Sequence, residues 1–437
     1  MNSFESLLKK AAEVLRQPNS VLDYDEVAAC VGSFLKRAAT FVATVQRHGS
    51  PLYVFEERVL LERAAQFAAA FKETLGDIRI FYAVKSNNHP VLVGSLVRSG
   101  VGLDVSSGLE LELALRCNCP DIIFSGPGKT DKELQLAVRY SNSVTVLIDS
   151  FAELDRLEKA AAELHTPIKA GVRLTTDDRG LWRKFGIPLS RLDSFMQKAA
   201  GCSHVLLGGL QFHTSWNLDP AQQVDFIARL GQSLQNLDQS RRDLIEFIDI
   251  GGGYWPSQGE WLQWAGTSKG RLHQALLSTS SPSTEHYKLP SSPISTFAAK
   301  IGAAIQRHVS PYVDCRFYAE PGRWLCNDAM HLLLTVVDKK SEDLVITDGG
   351  TNIIGWERFE TDYFPVINLS RPSKSEHKCF ILGSLCTPHD VWGYGYFGKG
   401  IESGDLLLIP NQGAYTYSLR QQFIKPLPEV VALDPAG

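Results

Sequence analysis

From residue 79 to 319 the chain repeats one theme: a short run of β-branched or apolar residues, a polar or glycine-containing turn, then a longer stretch with helical spacing. Eight such runs occur: RIFYAV (79–84), VGLDV (101–105), DIIF (121–124), VTVLI (144–148), IKAGVRL (168–174), VLLGGLQF (205–212), LIEFIDI (244–250) and RFYAE (316–320). Between them, segments such as GLELELALR, KELQLAVRY and FAELDRLEKAAAEL repeat apolar residues at the spacing of one helix face. Strands alternating with helices in this number predict an α/β fold, a TIM-like (β/α)8 barrel, whose active-site groups gather at the C-terminal ends of the strands. Those ends carry Lys85, Asp104, Ser125 with GPGK, Asp149, Arg173, His213, Gly251 to Gly253, and Glu320 to Arg323.

After Trp324 the helical spacing fades. HLLLTVVD, DLVITD, KCFILGS and DLLLIP, separated by Gly, Pro and Asp turns, predict a β-rich C-terminal domain, a barrel or sandwich. The boundaries expected from this pattern are 51–325 for the barrel and 326–437 for the β domain, with 1–50 as an N-terminal segment. Residues 256–293, rich in Ser, Gly, Trp and Pro, read as a surface insertion or lid on the last barrel repeat.

A chain of 437 residues exceeds what one core usually supports, in keeping with two domains. The formal net charge of -4 offers no field for a phosphate backbone, so nucleic acid is not an expected partner. Apolar runs such as 331–337 are far too short to cross a bilayer, and the N-terminal MNSFESLLKKAAEVLRQ reads as an amphipathic helix rather than a signal peptide. The eight cysteines lack metal or disulfide-scaffold spacing, which points to reduced thiols in a cytoplasmic protein.

Lys85 follows an apolar strand directly, so its stem starts inside the barrel and its amine emerges at the mouth, where a Schiff-base lysine needs to be. On position alone a surface lysine fits as well. Three glycines in DIGGGYWP let backbone N–H groups approach a phosphate, although tight turns also need glycine. In EPGRW, Glu320 is placed to face a ring nitrogen while Gly322 and Arg323 hold an anion; a Pro-Gly turn with a surface ion pair is the plainer alternative. His213 has no further ligands at zinc-like spacing, so no metal is expected.

Taken in order, YAVKSN (82–87), LDVSSGLELELAL (103–115), FSGPGK (124–129), KFG (184–186), GLQFHTS (209–215), DIGGG (249–253), EPGR (320–323), ITDGG (346–350), LC (385–386) and GAYT (413–416) form a series. That series resembles the fold-type III decarboxylases of ornithine, diaminopimelate and arginine, whose barrel is alanine racemase-like and whose cofactor is pyridoxal 5'-phosphate. The resemblance implies that Lys85 forms the internal aldimine, with Asp104 beside it, that His213 stacks on the cofactor ring, and that Glu320 pairs with the pyridine nitrogen. It further implies a phosphate site of Ser215, Gly251, Gly252, Gly253, Gly322, Arg323 and Tyr415. Arg173, Asp348, Thr387 and Asp390 would face an amino-acid substrate. Cys386 matches a thiol that protonates the product from the neighbouring subunit, which implies a head-to-tail homodimer, and in relatives the N-terminal segment joins the β domain.

The reaction implied is decarboxylation. A racemase on the same fold is the nearest rival, a non-catalytic cofactor binder the next; a hydrolase using Asp249 and Glu320 leaves Lys85 and the glycine run unexplained. Three departures narrow the substrate. Cys386 is followed by Thr387 and Pro388, with Asp390 four on, where relatives that bind a distal ammonium carry an acid. Trp356 stands at the offset of the arginine of the diaminopimelate branch, with Arg358 two further on. HTSWN replaces a Gly-Ser pair, so that Trp216 narrows the pocket. LCTPHD resembles branches in siderophore or antibiotic pathways, where the decarboxylated amino acid is part of a larger conjugate.

Overall fold

The eight apolar runs form eight parallel strands that close on themselves. In chain order they are Ile78–Ala83, Gly102–Val105, Ile122–Phe124, Val144–Ile148, Ile168–Leu174, Val205–Phe212, Phe247–Asp249 and Arg316–Ala319. The last pairs with both the seventh and the first, which closes the ring. The computed structural model describes residues 4–277, 285–355 and 359–433; Trp356 and Arg358 lie outside them. The chain divides into two units, one of Val59–Ser257 and Ser291–Cys326, which holds the barrel, and one of Met1–Arg58, Gln258–Pro290 and Asn327–Gly437.

Three of the helices that follow barrel strands start abruptly because a hydroxyl stands at the start. Ser107, Thr130 and Ser150 accept from the backbone N–H of Glu110, Glu133 and Glu153, satisfying donors that the first helical turn leaves open. The barrel interior is filled by Phe81, Ile123, Leu147 and Phe247 with Tyr318 against them. Phe247 stacks on Tyr318 at 4.6 Å between ring centres. Its ring takes the space of a missing side chain: a Cβ at Gly209 would run into the Phe247 ring. The strand expected at 244–250 begins only at Phe247, because Leu244 and Ile245 close turns onto Arg241 and Arg242.

One buried ion pair braces the barrel loops. Lys129 Nζ donates to Glu153 Oε1 (2.7 Å), Gly126 O (2.7 Å) and Leu147 O (2.8 Å), with both charged side chains nearly inaccessible. Burial lowers the lysine pKa and raises that of the glutamate, so desolvation outweighs their mutual attraction in each case.

The other unit is built on a ring of six strands: Met330–Ser341, Leu344–Thr347, Glu376–Leu382, Val391–Phe397, Ile367–Asn368 and Leu406–Ile409. Met330–Ser341 closes the ring by pairing with Leu406–Ile409 in its first half and with Leu344–Thr347 in its second, where register shifts bend it.

Two expected boundaries are corrected here. Residues 51–58 were assigned to the barrel, but Leu52–Phe55 pairs antiparallel with Met330 to Leu333 and parallel with Glu429–Ala432, so it belongs to the β unit. Residues 258–290 are not an insertion of the barrel. Glu260–Leu262 and Tyr287–Leu289 form a hairpin bridged to Val21 and Asp362, and Trp261 enters the core of the β unit.

Helices Tyr24–Leu35 and Ala38–His48 place Val27, Val31, Phe34 and Phe41 in the same core as Leu333 and Leu408, whereas the first helix, Phe4–Arg16, buries none of its residues. Among the described residues no single helix is long and apolar enough to cross a membrane. Within this core Glu56 Oε1 accepts from His331 Nε2 (2.7 Å), Glu56 Oε2 pairs with Arg37, and His331 Nδ1 accepts from Asn411 N–H (3.1 Å). Burial opposes ionisation of Glu56, but the hydrogen bonds from His331 and Arg37 outweigh it and bring the carboxyl down to about 2.

Candidate active site

Lys85 sits in the single turn Val84–Ser86 that follows the first barrel strand. Its Nζ lies 2.8 Å from Asp104 Oδ2 at the end of the next strand, and Ser125 Oγ, one strand further, donates to Asp104 Oδ1 at 2.5 Å. Three consecutive strand ends thus form one chain of contacts. Asp104 is fully buried, which raises its pKa, and the Lys85 charge works against that rise. The lysine side chain remains about one-third exposed, so its amine faces the open mouth.

The last barrel strand, which pairs with the strand that leads to Lys85, leads to Glu320, and the ends of the two strands before it converge on that carboxylate. The Glu320 N–H donates to Gly251 O (2.9 Å), Gln211 Nε2 donates to Glu320 Oε1 (3.2 Å), and Glu320 Oε2 lies 3.4 Å from His213 Nδ1. Burial opposes ionisation of Glu320, but the contact with His213 and the charges of Lys85 and Arg173 outweigh it and hold the carboxyl at about 2. Asp249 next to it moves the other way: burial, then the Glu320 charge, raise it well above its usual value. The two carboxyls are thus pushed in opposite directions, Asp249 toward its protonated form and Glu320 toward its charged one. His213 is kept neutral chiefly by burial. Its Nδ1 lies 3.1 Å from Gly252 N as well as 3.4 Å from Glu320 Oε2, so both groups fix the orientation of the ring.

The glycine run has specific duties. Gly251 adopts φ +68°, where a Cβ would meet the backbone of Phe212 and His213. The N–H of Gly251 is donated to Asp249 and that of Gly252 to His213. Among the described residues, the N–H of Gly253 has no partner and is the member of the run left to bind an anion. Gly322 stands against Ser86, where a Cβ would not fit, and the Arg323 guanidinium lies 4.4 Å over the Trp255 ring. Arg173 is buried with its guanidinium 4.5 Å over Phe185 of the KFG turn. Ser215, half-buried, follows Thr214, and Trp216 after it is exposed with φ 55°.

The β unit holds the remaining candidates. Cys386 is an exposed, free thiol on the loop after Glu376–Leu382. Asp390 is buried under that loop, its two oxygens accepting from Leu385 N–H and Thr351 N–H, both at 2.6 Å. The expectation that Asp390 faces substrate is thereby corrected: both oxygens are committed to the backbone. Asp348 accepts from Ser50 Oγ (2.5 Å) and Thr335 N–H (2.9 Å), and burial raises its pKa. Thr387 Oγ1 accepts from His389 N–H at 3.4 Å, and Tyr415 holds a left-handed φ of 60°.

Sequence reasoning missed Gln211 and the upward shift of Asp249. The signal for Gln211 was a polar side chain at the inward end of an otherwise apolar strand. For Asp249, which the sequence pairs with Glu320 only in the hydrolase alternative, it was the adjacency of their two strands.

Residues 61–327 match the family described as "Pyridoxal-dependent decarboxylase, pyridoxal binding domain". Among curated relatives, diaminopimelate decarboxylase of Aquifex aeolicus is 26% identical over 427 residues, covering 94% of this chain and 91% of the relative. L-glutamyl-[BtrI acyl-carrier protein] decarboxylase of Niallia circulans is 26% identical over 413 residues, covering 87% of each. The fold is shared with diaminopimelate decarboxylase from M. jannaschii, with a TM-score of 0.76 at 22% identity over 91% of this chain and 90% of that one. It is shared as well with lysine/ornithine decarboxylase from Vibrio vulnificus, solved with putrescine (TM-score 0.72, 22% identity, 91% and 98% covered). With the matched segment spanning more than half of its length, this chain belongs to the pyridoxal-dependent decarboxylases.

Proposed function

We infer that the protein decarboxylates an amino acid whose side chain is part of a larger conjugate, using pyridoxal phosphate held on Lys85. The observation that carries the reading is the buried Glu320, its carboxyl held low, flanked by Gln211 and His213 at the strand end next to that of Lys85. The donor set fits the cofactor: an amine for its aldehyde, a buried carboxylate for its ring nitrogen, and a free Gly253 N–H for its phosphate. Gln211 Oε1 and Asp249 Oδ2 are buried polar atoms without a partner in the same place, as expected around a polar guest.

When bound, pyridoxal phosphate supplies a ring that accepts the electron pair left by a broken Cα bond. Glu320 keeps its negative charge because Asp249 retains the proton that two adjacent carboxyls would otherwise share, so the ring nitrogen meets an acceptor. His213, its ring orientation fixed by Gly252 and Glu320, offers a flat face. Asp104, steadied by Ser125, takes up the Lys85 amine when it carries a proton and gives it a fixed direction. Gly253, Gly322, Arg323 and Ser215 are assigned to the phosphate and Arg173 to the substrate, and the resemblance adds Tyr415 to the former and Asp348 and Thr387 to the latter. Asp390 shapes the Cys386 loop. Cys386 returns a proton to the substrate carbon from the partner subunit of a homodimer.

The test is borohydride reduction of the purified holoenzyme with peptide mapping, followed by CO2 measurement on free and conjugated amino acids. Pyridoxyl label on Lys85 and CO2 released from a conjugate are expected. A label elsewhere, or enantiomer exchange without CO2, refutes the reading.

A further inference from the structure

The barrel unit carries a groove of about 1510 Å³ that begins at Thr214 and Ser215, immediately beyond His213. One wall is a single face of the helix Ala221–Asn236, presenting Gln222, Asp225, Arg229, Ser233 and Asn236. The facing wall is the irregular segment after the fifth barrel strand, including Thr176, Asp177, Trp182 and Ser190. From Gln222 to Asn236 the helix rises about 20 Å, so the groove is long as well as large. Its volume exceeds the roughly 300–1,000 Å³ common for a small-ligand pocket. A free amino acid leaves most of it empty.

The groove is joined to the catalytic rim by direct bonds. Thr176 Oγ1 donates to His213 O (3.4 Å), and Arg229 donates to Thr176 O (3.1 Å). At its neck stands Trp216, 60% exposed and held in the left-handed region, its ring stacked on Trp255. A bulky side chain kept exposed in such a conformation is costly without a purpose.

The lining chemistry narrows the guest. Arg179 pairs with Asp177 and Arg229 with Asp225, so both cations are neutralised where they stand. Asp178 is the lining charge without an opposite partner among the described residues, and the rest is amide, hydroxyl and indole. An anionic tail meets a lining of three carboxylates against two arginines, both of them paired, whereas a neutral chain of amides and hydroxyls finds donors and acceptors along both walls.

We propose that this groove binds the distal part of the substrate, an extended, uncharged chain bearing amide or hydroxyl groups, and so selects conjugated over free amino acids. The proposal rests on the decarboxylase reading above for its substrate head, but its binding chemistry is separable from turnover.

The experiment uses the holoenzyme and two readouts. The first is tryptophan fluorescence during titration with N-acetyl-(Gly-Ser)3-amide, a neutral chain that reaches about 20 Å when extended. A saturable change, with its midpoint raised at least tenfold by Ser233→Arg and by Asn236→Arg, is expected. No saturation, or a midpoint indifferent to both substitutions, overturns the groove. The second is CO2 release from L-lysine, L-ornithine and L-glutamate, each free and with its side-chain end amide-linked to the same chain. A preference of tenfold or more in kcat/KM for an extended form, lost in Ser233→Arg, supports the proposal. Equal rates for both forms, unchanged by Ser233→Arg, refute it while leaving decarboxylation in place. CO2 from none of them, with no label on Lys85, refutes the decarboxylase reading instead, and the titration alone then decides the groove.

Discussion

Replacing Lys129 by Met keeps the length of the side chain but removes the charge that holds Glu153 inside the barrel unit. The ammonium serves three acceptors at 2.7 to 2.8 Å, and both partners are no more than 2% exposed. Removing one member of such a pair strands the other and costs about 3–5 kcal/mol, whereas replacing both by apolar groups costs far less. The directions of the two pKa values agree with that asymmetry, since burial dominates each. Lys129→Met should therefore lower the stability of the barrel by about 3–5 kcal/mol. The double variant Lys129→Met/Glu153→Leu should lose only about 1–2 kcal/mol. Urea unfolding of all four members of the cycle at neutral pH, followed by circular dichroism, reads the coupling directly. A single-variant cost below about 1 kcal/mol, or a double variant no better than the sum of the singles, would refute the reasoning.

Glu56 makes the β unit acid-sensitive. Its folded value near 2 lies below the ordinary 4.5, so the carboxylate stabilises the fold above about pH 4.5, by about 3 kcal/mol, and that contribution drains away as pH falls toward 2. In Glu56→Gln the loss of stability across that window should shrink, as read by thermal unfolding at a series of pH values. Gly209→Ala should cost about 1–3 kcal/mol in urea unfolding because the new methyl meets the Phe247 ring; a change within about 0.5 kcal/mol contradicts that packing. Asp390→Asn leaves one of two backbone N–H groups unserved, and the amides of Thr351 and Leu385 should exchange with solvent at least about tenfold faster.

The barrel was legible because each strand is short, apolar and followed by a turn and a helix face, a pattern that survives without knowing any contact. Leu52–Phe55 was not, since LYVF has the same texture as a barrel strand and only its ladder partners, some 280 and 380 residues onward, assign it to the other sheet. Val391–Phe397 was missed because its two glycines and alternating aromatics break the apolar run. At the site, Lys85, His213 and Glu320 were marked by position at strand ends. The division of labour inside DIGGG, with two N–H groups spent on Asp249 and His213, depends on distances that no spacing rule supplies. Asp390 was expected at the substrate because it follows Cys386 by four, whereas the loop folds back over it.

The order in which the two units use the chain bears on how it can be made. The β unit contributes its first strand at residues 52–55 but completes that strand's ladders only with 330–333 and 429–432. The barrel, begun in between, gains its closing strand at 316–319 after the chain has already left it for the hairpin at 260–289. During synthesis, then, neither unit can finish before most of the polypeptide has emerged, and the earliest β strand waits longest with its edges open. Contacts so distant in sequence favour slow folding, and a chain ending early by even the last ten residues leaves Leu52–Phe55 with one unpaired edge.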